Sequence, residues 1–157
     1  MSKYLNPYQN QELRYPKEFS ESINDYLIGR EEDKKKKHAL RQRPFKRIVD
    51  IWMLALCLGV KKGKKRDLDR DHSVKFIEGS IFTNDHWRVN FITALIIGIE
   101  DNVDIIANPR KVIQLANQYA AGGFSEIFNG MGESNMDPLD NILEMVDVIL
   151  EDSVVPS

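Results

Sequence analysis

The stretch Phe45 to Val60, FKRIVDIWMLALCLGV, decides how the rest of the chain is read. Ile48, Ile51, Trp52, Ala55, Leu56 and Gly59 recur at the spacing of one helical face. Val49, Met53, Leu54, Cys57 and Leu58 make the other side apolar too, leaving Asp50 as the only charge after Arg47. A helix apolar almost all round belongs inside a core. Basic residues bracket it: Arg41, Arg43, Lys46 and Arg47 before, Lys61, Lys62, Lys64, Lys65 and Arg66 after.

Working outward, the same pattern predicts further helices. His86 to Ile99 is apolar on nearly every side, with Trp87, Phe91, Ala94, Leu95 and Gly98 on one stripe. It is expected to pack against the first helix, with Trp52 and Trp87 as core anchors. Asn108 followed by Pro109 is a strong helix start, and Val112, Ile113, Leu115, Ala116 and Tyr119 face inward from it. Gly122 and Gly123 interrupt that pattern and imply close packing or a bend. Asp137 and Pro138 open a last helix striped by Leu139, Ile142, Leu143, Met145, Val146, Ile149 and Leu150. Ser73 to Phe82 is rich in β-branched and aromatic residues, and is either a short β element or an extended segment docked on the core.

Toward the N-terminus the signal weakens. Residues 1–15 form a polar arm that is ordered only if the domain surface or a partner holds it. Residues 16–43 read as a short amphipathic helix, Lys17 to Gly29, and a basic linker containing Lys34, Lys35, Lys36 and Lys37. Pro44 is expected to start the apolar helix. Residues 44–152 form the helical core domain, and 153–157 a tail. The expected architecture is mainly α, a compact single-domain bundle of four to five core helices, with a short β element near 73–82.

Charge is distributed unevenly. Arg30 to Lys75 holds 16 Lys and Arg against 7 Asp and Glu, whereas Phe76 to Ser157 holds 3 against 13. Such asymmetry points to a nucleic acid or to a complementary protein surface. The nucleic-acid candidates are Lys34 to Lys37, Arg41, Arg43, Lys46, Arg47, Lys61, Lys62, Lys64, Lys65 and Arg66. They form one patch only if the linker folds back, since a helix over 45–60 is about 24 Å long. A solvated charge run or a protein-docking surface is the competing interpretation.

Other chemistry is sparse. Asp67, Asp69, Asp71 and His72 alternate in a loop, which suits a hard cation, but position six of a calcium loop is His72 rather than glycine. The neighbouring Lys and Arg residues can neutralise these carboxylates without a metal. Cys57 is the only cysteine, which excludes an internal disulfide, and its apolar surroundings make it a core thiol. Neither a phosphate loop nor a nucleophile elbow occurs, so no catalytic residue, cofactor or metal is assigned. No segment is long and apolar enough to cross a bilayer, and no signal peptide is evident, so a cytoplasmic location is expected.

The run Gln118 to Ile127, QYAAGGFSEI, follows NPRKVIQLAN and resembles the DNA phosphorothioation-associated protein 4 family. That family lies beside bacterial sulfur-modification restriction genes. The resemblance rests on three places. They are the small-residue end of the first apolar helix (Ala55 to Gly59), the second apolar helix (Phe91 to Ile99), and the Tyr-Ala-x-Gly-Gly signature (Tyr119, Ala120, Gly122, Gly123) followed by Phe124. It implies a role in antiphage defence and supplies no catalytic residue. The expected function is a non-enzymatic accessory subunit. It docks on a larger ATPase, helicase or nuclease and contacts DNA through the basic segments. The alternatives are a stand-alone, sequence-independent nucleic-acid-binding protein and a metal-dependent nuclease built on Asp67, Asp69 and Asp71. The oligomeric state is not legible.

Overall fold

A computed structural model describes residues 5–29, 39–131 and 136–152 of the chain. The fold is mainly α with one two-stranded sheet. The four long helices are α1 (Ile48–Lys62), α2 (His86–Glu100), α3 (Pro109–Met131) and α4 (Pro138–Asp152). The strands are β1 (Glu12–Pro16) and β2 (Ser73–Glu78).

The centre is the antiparallel crossing of α1 and α3. A Cβ built on Gly59 would lie 1.9 Å from the carbonyl oxygen of Tyr119, and one on Gly123 would lie 1.7 Å from that of Ala55. The two backbones therefore touch at two points one turn apart, which only a missing side chain permits. The glycine pair does not break the helix: α3 runs without interruption from Pro109 to Met131. Around the crossing Ile51, Trp52, Leu56, Ile113, Phe124 and Ile127 are fully buried or nearly so. The tightest neighbour of α1 is thus α3 and not α2. One visible link between α2 and α1 is polar, the Arg88 guanidinium 3.2 Å from Asp50.

The N-terminal arm is held by the domain. β1 pairs antiparallel with β2, Leu13 opposite Ile77 and Tyr15 opposite Val74, with a bulge between Leu13 and Arg14. Leu13 and Tyr15 face the core from alternate positions. Ahead of the strand, Tyr8 is buried, its hydroxyl bonded to Thr93 of α2, and its backbone lies against Gly79. The Asn6 amide donates to the Gly79 carbonyl at 2.7 Å.

Three expected boundaries shift. Lys17 to Leu27 is not one regular helix. It passes through a 3₁₀ turn, an α turn and a π turn, which brings Ile23 and Leu27 inward. α1 begins at Ile48 rather than after Pro44, because Phe45 is occupied in a β-bridge with Ile28. Its N–H donates to Leu27 and its carbonyl accepts from Gly29. The 73–82 segment splits into β2 and a 3₁₀ turn, Gly79–Asn84.

α2 departs most from expectation. Val89, Ile92 and Ile96 are buried, but Trp87 is 58% exposed and Phe91, Ala94 and Gly98 also face solvent. Trp87 is therefore no core anchor, unlike the fully buried Trp52. In the following 3₁₀ turn, Val103–Ala107, only Ile105 is buried. On α4, Ile142 and Ile149 pack inward, while Leu143 and Leu150 of the expected stripe are exposed.

Candidate functional site

The basic residues flanking α1 are positioned by its two ends, about 22 Å apart for fifteen residues. Lys34, Lys35, Lys36 and Lys37 lie outside the described residues. At the N-terminal end, Arg41 reaches Asp140 of α4 at 3.1 Å and Arg47 reaches Asp50 at 3.6 Å. Arg43 is half-buried and Lys46 is exposed.

The C-terminal end is built by the chain's own geometry. Gly63 takes a left-handed conformation (φ 62°) that lets its N–H and that of Lys64 close onto Val60 and Gly59. The chain then turns back along α3: the Lys64 carbonyl sits over Gly122, and the Arg66 N–H donates to the Gln118 carbonyl at 3.0 Å. This route places the cations against acids, most of them from the second half. Lys62 (3.1 Å) and Lys64 both bond Glu126, Lys65 lies 3.6 Å from Glu100, and Arg66 pairs with Glu18. Lys61 is exposed. Hydrogen bonds from Lys64 and then Lys62 hold the Glu126 carboxyl below the usual range. Much of the charge asymmetry along the chain is thus spent internally, the acidic half against the basic half. Each exposed pair contributes little to stability, roughly 0–1 kcal/mol. A cation already paired also gains less from a phosphate, because it must give up its carboxylate before it can neutralise one.

Tyr119 of the signature has a defined job. Its hydroxyl donates to Glu100 at the end of α2 at 3.0 Å, and Lys65 lies over its ring at 5.7 Å. Burial first, then the bond to Glu100, pushes its pKa up to about 12. At neutral pH the hydroxyl is a fixed donor that ties α2 to α3 and Lys65, and not a base or nucleophile. Cys57 is half-buried, and burial raises its pKa, so it too stays protonated.

The acidic loop turns on itself. Asp69 accepts from both the backbone N–H (2.8 Å) and the ring Nδ1 (2.8 Å) of His72, which lowers its pKa. Asp67 and Asp71 stand exposed in the same loop, and no group of three or more His, Cys, Asp or Glu that could hold a metal occurs among the described residues.

Two features escaped the sequence. The first is the outer stripe of α2. Trp87 and Phe91 lie with ring centroids 6.4 Å apart, and the Arg88 guanidinium sits 4.8 Å over the Trp87 ring while bonding Asp50. The indole is thereby held in place although exposed. The second is a polar cleft of about 340 Å³ between β1, the 64–72 loop and the first half of α3. Arg14, Arg70 and Arg110 border it, with the amides of Gln11, Gln114 and Gln118. The periodicity of α2 was readable but not which stripe turned outward. Arg70 and Arg110 sit forty positions apart, one between two aspartates and the other beside Lys111, so no local pattern joins them.

A family model for DNA sulphur modification system-associated protein 4 matches residues 30–152. Comparison with curated proteins and with solved structures found no match. The match covers α1 to α4 and β2, and leaves β1 and the arm outside it. Two of the three places that carry the resemblance, Ala55 to Gly59 and Tyr119 to Phe124, are the two sides of the α1–α3 crossing, so the signature encodes a helix contact. With that match over most of its length, the chain belongs to the family of DNA sulphur modification system-associated protein 4.

Proposed function

We propose that the protein is a non-enzymatic accessory subunit of a DNA-sulphur-modification-linked restriction system that acts against phage, and that it docks on a larger ATPase or nuclease of that system. The observation that supports docking best is the outer stripe of α2. Trp87, Phe91, Ala94 and Gly98 are exposed together, flanked by half-buried Leu95. Tryptophan, phenylalanine and arginine gathered on an exposed apolar stripe are what protein interfaces place at their centres. Gly98 adds to the case. It sits inside a helix, where glycine costs about 1 kcal/mol relative to alanine, yet a Cβ there would meet nothing within 4 Å. Nothing among the described residues requires that glycine, whereas a partner backbone approaching the stripe would.

The test is co-expression with each large ATPase or nuclease encoded in the same gene cluster, followed by affinity purification. The wild-type chain is expected to recover one of them, and the Trp87→Ala/Phe91→Ala double variant to lose it while keeping its circular dichroism spectrum. Recovery of none by the wild-type chain refutes docking; undiminished recovery by the variant removes α2 as the face.

Contact with DNA is the second part of the reading. It rests on Lys34 to Lys37 in the sequence, and on the exposed Lys46 and Lys61, these two having no acidic partner among the described residues. Duplex binding at low salt, weakened when Lys34 to Lys37 are neutralised, is the expected outcome. Duplex binding without any protein partner would favour the stand-alone nucleic-acid-binding alternative.

A further inference from the structure

The cleft beside α3 has walls fixed from three sides. Asn117, buried on α3, uses both ends of its amide on β1: its Oδ1 accepts from the Arg14 N–H at 3.0 Å, and its Nδ2 donates to the Glu12 carbonyl at 2.9 Å. The loop wall is pinned at Arg66 by the bond to the Gln118 carbonyl, and at Asp69 by the bonds from His72 and Ser73. Arg70 projects from just after the second anchor point, and Arg110 from the first turn of α3.

The cations of the cleft divide into one that is used and two that are not. The Arg14 guanidinium bonds Glu12 at 2.7 Å and Ser73 at 2.8 and 3.2 Å, so its charge and that of Glu12 cancel within the wall. Arg70 and Arg110 are exposed and have no acidic partner among the described residues. This contrasts with Lys62, Lys64, Lys65 and Arg66, whose carboxylates are already in place. The positive field of the cleft is therefore that of two guanidinium forks, the geometry that suits a phosphate. Around them stand Gln11, Gln114 and Gln118, each offering a donor and an acceptor, as a base edge or sugar hydroxyl requires. The lining holds no aromatic side chain, so charge and hydrogen bonding must do the work that stacking does elsewhere. A volume of 340 Å³ lies at the small end of ligand pockets, which run from roughly 300 to 1,000 Å³. It admits one nucleotide unit and not a base pair.

We propose that this cleft takes one nucleotide of a single nucleic-acid strand, with its phosphate on Arg70 and Arg110 and its base or sugar on the glutamine amides. The site goes beyond the basic segments of the docking subunit and shares none of their residues. It stands whether or not α2 binds a partner.

Fluorescence anisotropy with a short labelled DNA strand of mixed sequence at low salt tests the proposal on the full chain. Arg70→Gln with Arg110→Gln is expected to weaken binding roughly ten- to hundredfold and to reduce the salt slope by about 1 to 2. Lys17→Gln with Lys75→Gln removes the same charge outside both the cleft and the basic segments and is expected to change affinity far less. All four residues are exposed, and superimposable circular dichroism spectra will confirm the fold. Absence of single-strand binding by the wild-type chain overturns the proposal, as does equal loss in the two double variants. Tighter binding of the matching duplex, or binding of free mononucleotide without binding of the strand, assigns the cleft to another ligand and also overturns it.

Discussion

α1 and α2 are fifteen residues each, apolar on almost every side, and each carries a glycine near its C-terminal end. Their fates differ. α1 is enclosed, with eight buried residues including Trp52, and Gly59 is pressed onto the Tyr119 carbonyl. α2 buries three, Val89, Ile92 and Ile96, and turns Trp87, Phe91 and Gly98 outward with nothing near the glycine. Hydrophobicity alone says that a helix has to be covered, not by what. Inside this chain the choice falls on α1 because its Ala55 and Gly59 meet the complementary small residues of α3, which lets two backbones close together. α2 has no such counterpart among the described residues, and its remaining face is left for something else.

The sharpest test of that contrast compares the two tryptophans, beginning with the buried one. Trp52→Ala empties a fully enclosed site and is expected to destabilise the protein by about 3–5 kcal/mol, read from chemical denaturation. The crossing itself breaks next. A methyl group at Gly123 or Gly59 would fall within 2 Å of backbone oxygen, which no side-chain rotation relieves. Gly123→Ala is expected to cost about 3 kcal/mol, at the upper end of overpacking penalties. A near-neutral result at either glycine would show that the helices separate easily, and would end the account of the signature as a contact between backbones.

Much of this was legible beforehand. Asn108–Pro109 and Asp137–Pro138 placed the starts of α3 and α4, and apolar spacing located α1 and α2 to within a few residues, because capping and periodicity are local. The missing parts depend on distant partners. Gly122–Gly123 reads equally as a break or a crossing until Ala55 and Lys64 are opposite it. β1 offers only the Leu13–Tyr15 alternation, too short to count without β2 beside it. The basic clusters were plain in the sequence, but not that Glu126, Glu100 and Asp140 would arrive to meet them. The cleft is drawn from three elements, and neither Arg70 nor Arg110 stands in a pattern. The family signature was visible as a motif, but its physical meaning appeared only once Tyr119 and Gly123 lay on α1.

Tyr119 sharpens the comparison by measuring how firmly α2 is tied to the crossing. The neutral phenol is favoured in the fold, since burial and then Glu100 raise its pKa from 10.0 to about 12. A raised folded pKa contributes stability that is fully present below pH 10 and lost as pH rises toward 12. Two units correspond to about 2–3 kcal/mol over that window. Tyr119→Phe is expected to remove the late-ionising tyrosine from an ultraviolet titration and to flatten the loss of stability in alkali. At neutral pH it costs about 1 kcal/mol for the bond to Glu100. An unchanged alkaline profile in the variant would mean that another group ties α2 in place.

The outer face of α2 gives the smallest changes in stability and the most informative signs. Gly98→Ala meets open space and improves helix propensity, so it is expected to stabilise the free protein by about 1 kcal/mol, the opposite of Gly59→Ala. Trp87→Ala forfeits its contact with Arg88 and little else, about 0.5 kcal/mol, against the several lost at Trp52. If Trp87→Ala destabilised as strongly as Trp52→Ala, α2 would be covered on both sides and its stripe would be core. If instead both substitutions leave the isolated protein sound and each weakens recovery of the partner, glycine and tryptophan were retained there for a contact the chain does not make with itself. The two helices would then differ only in whose small residues they meet.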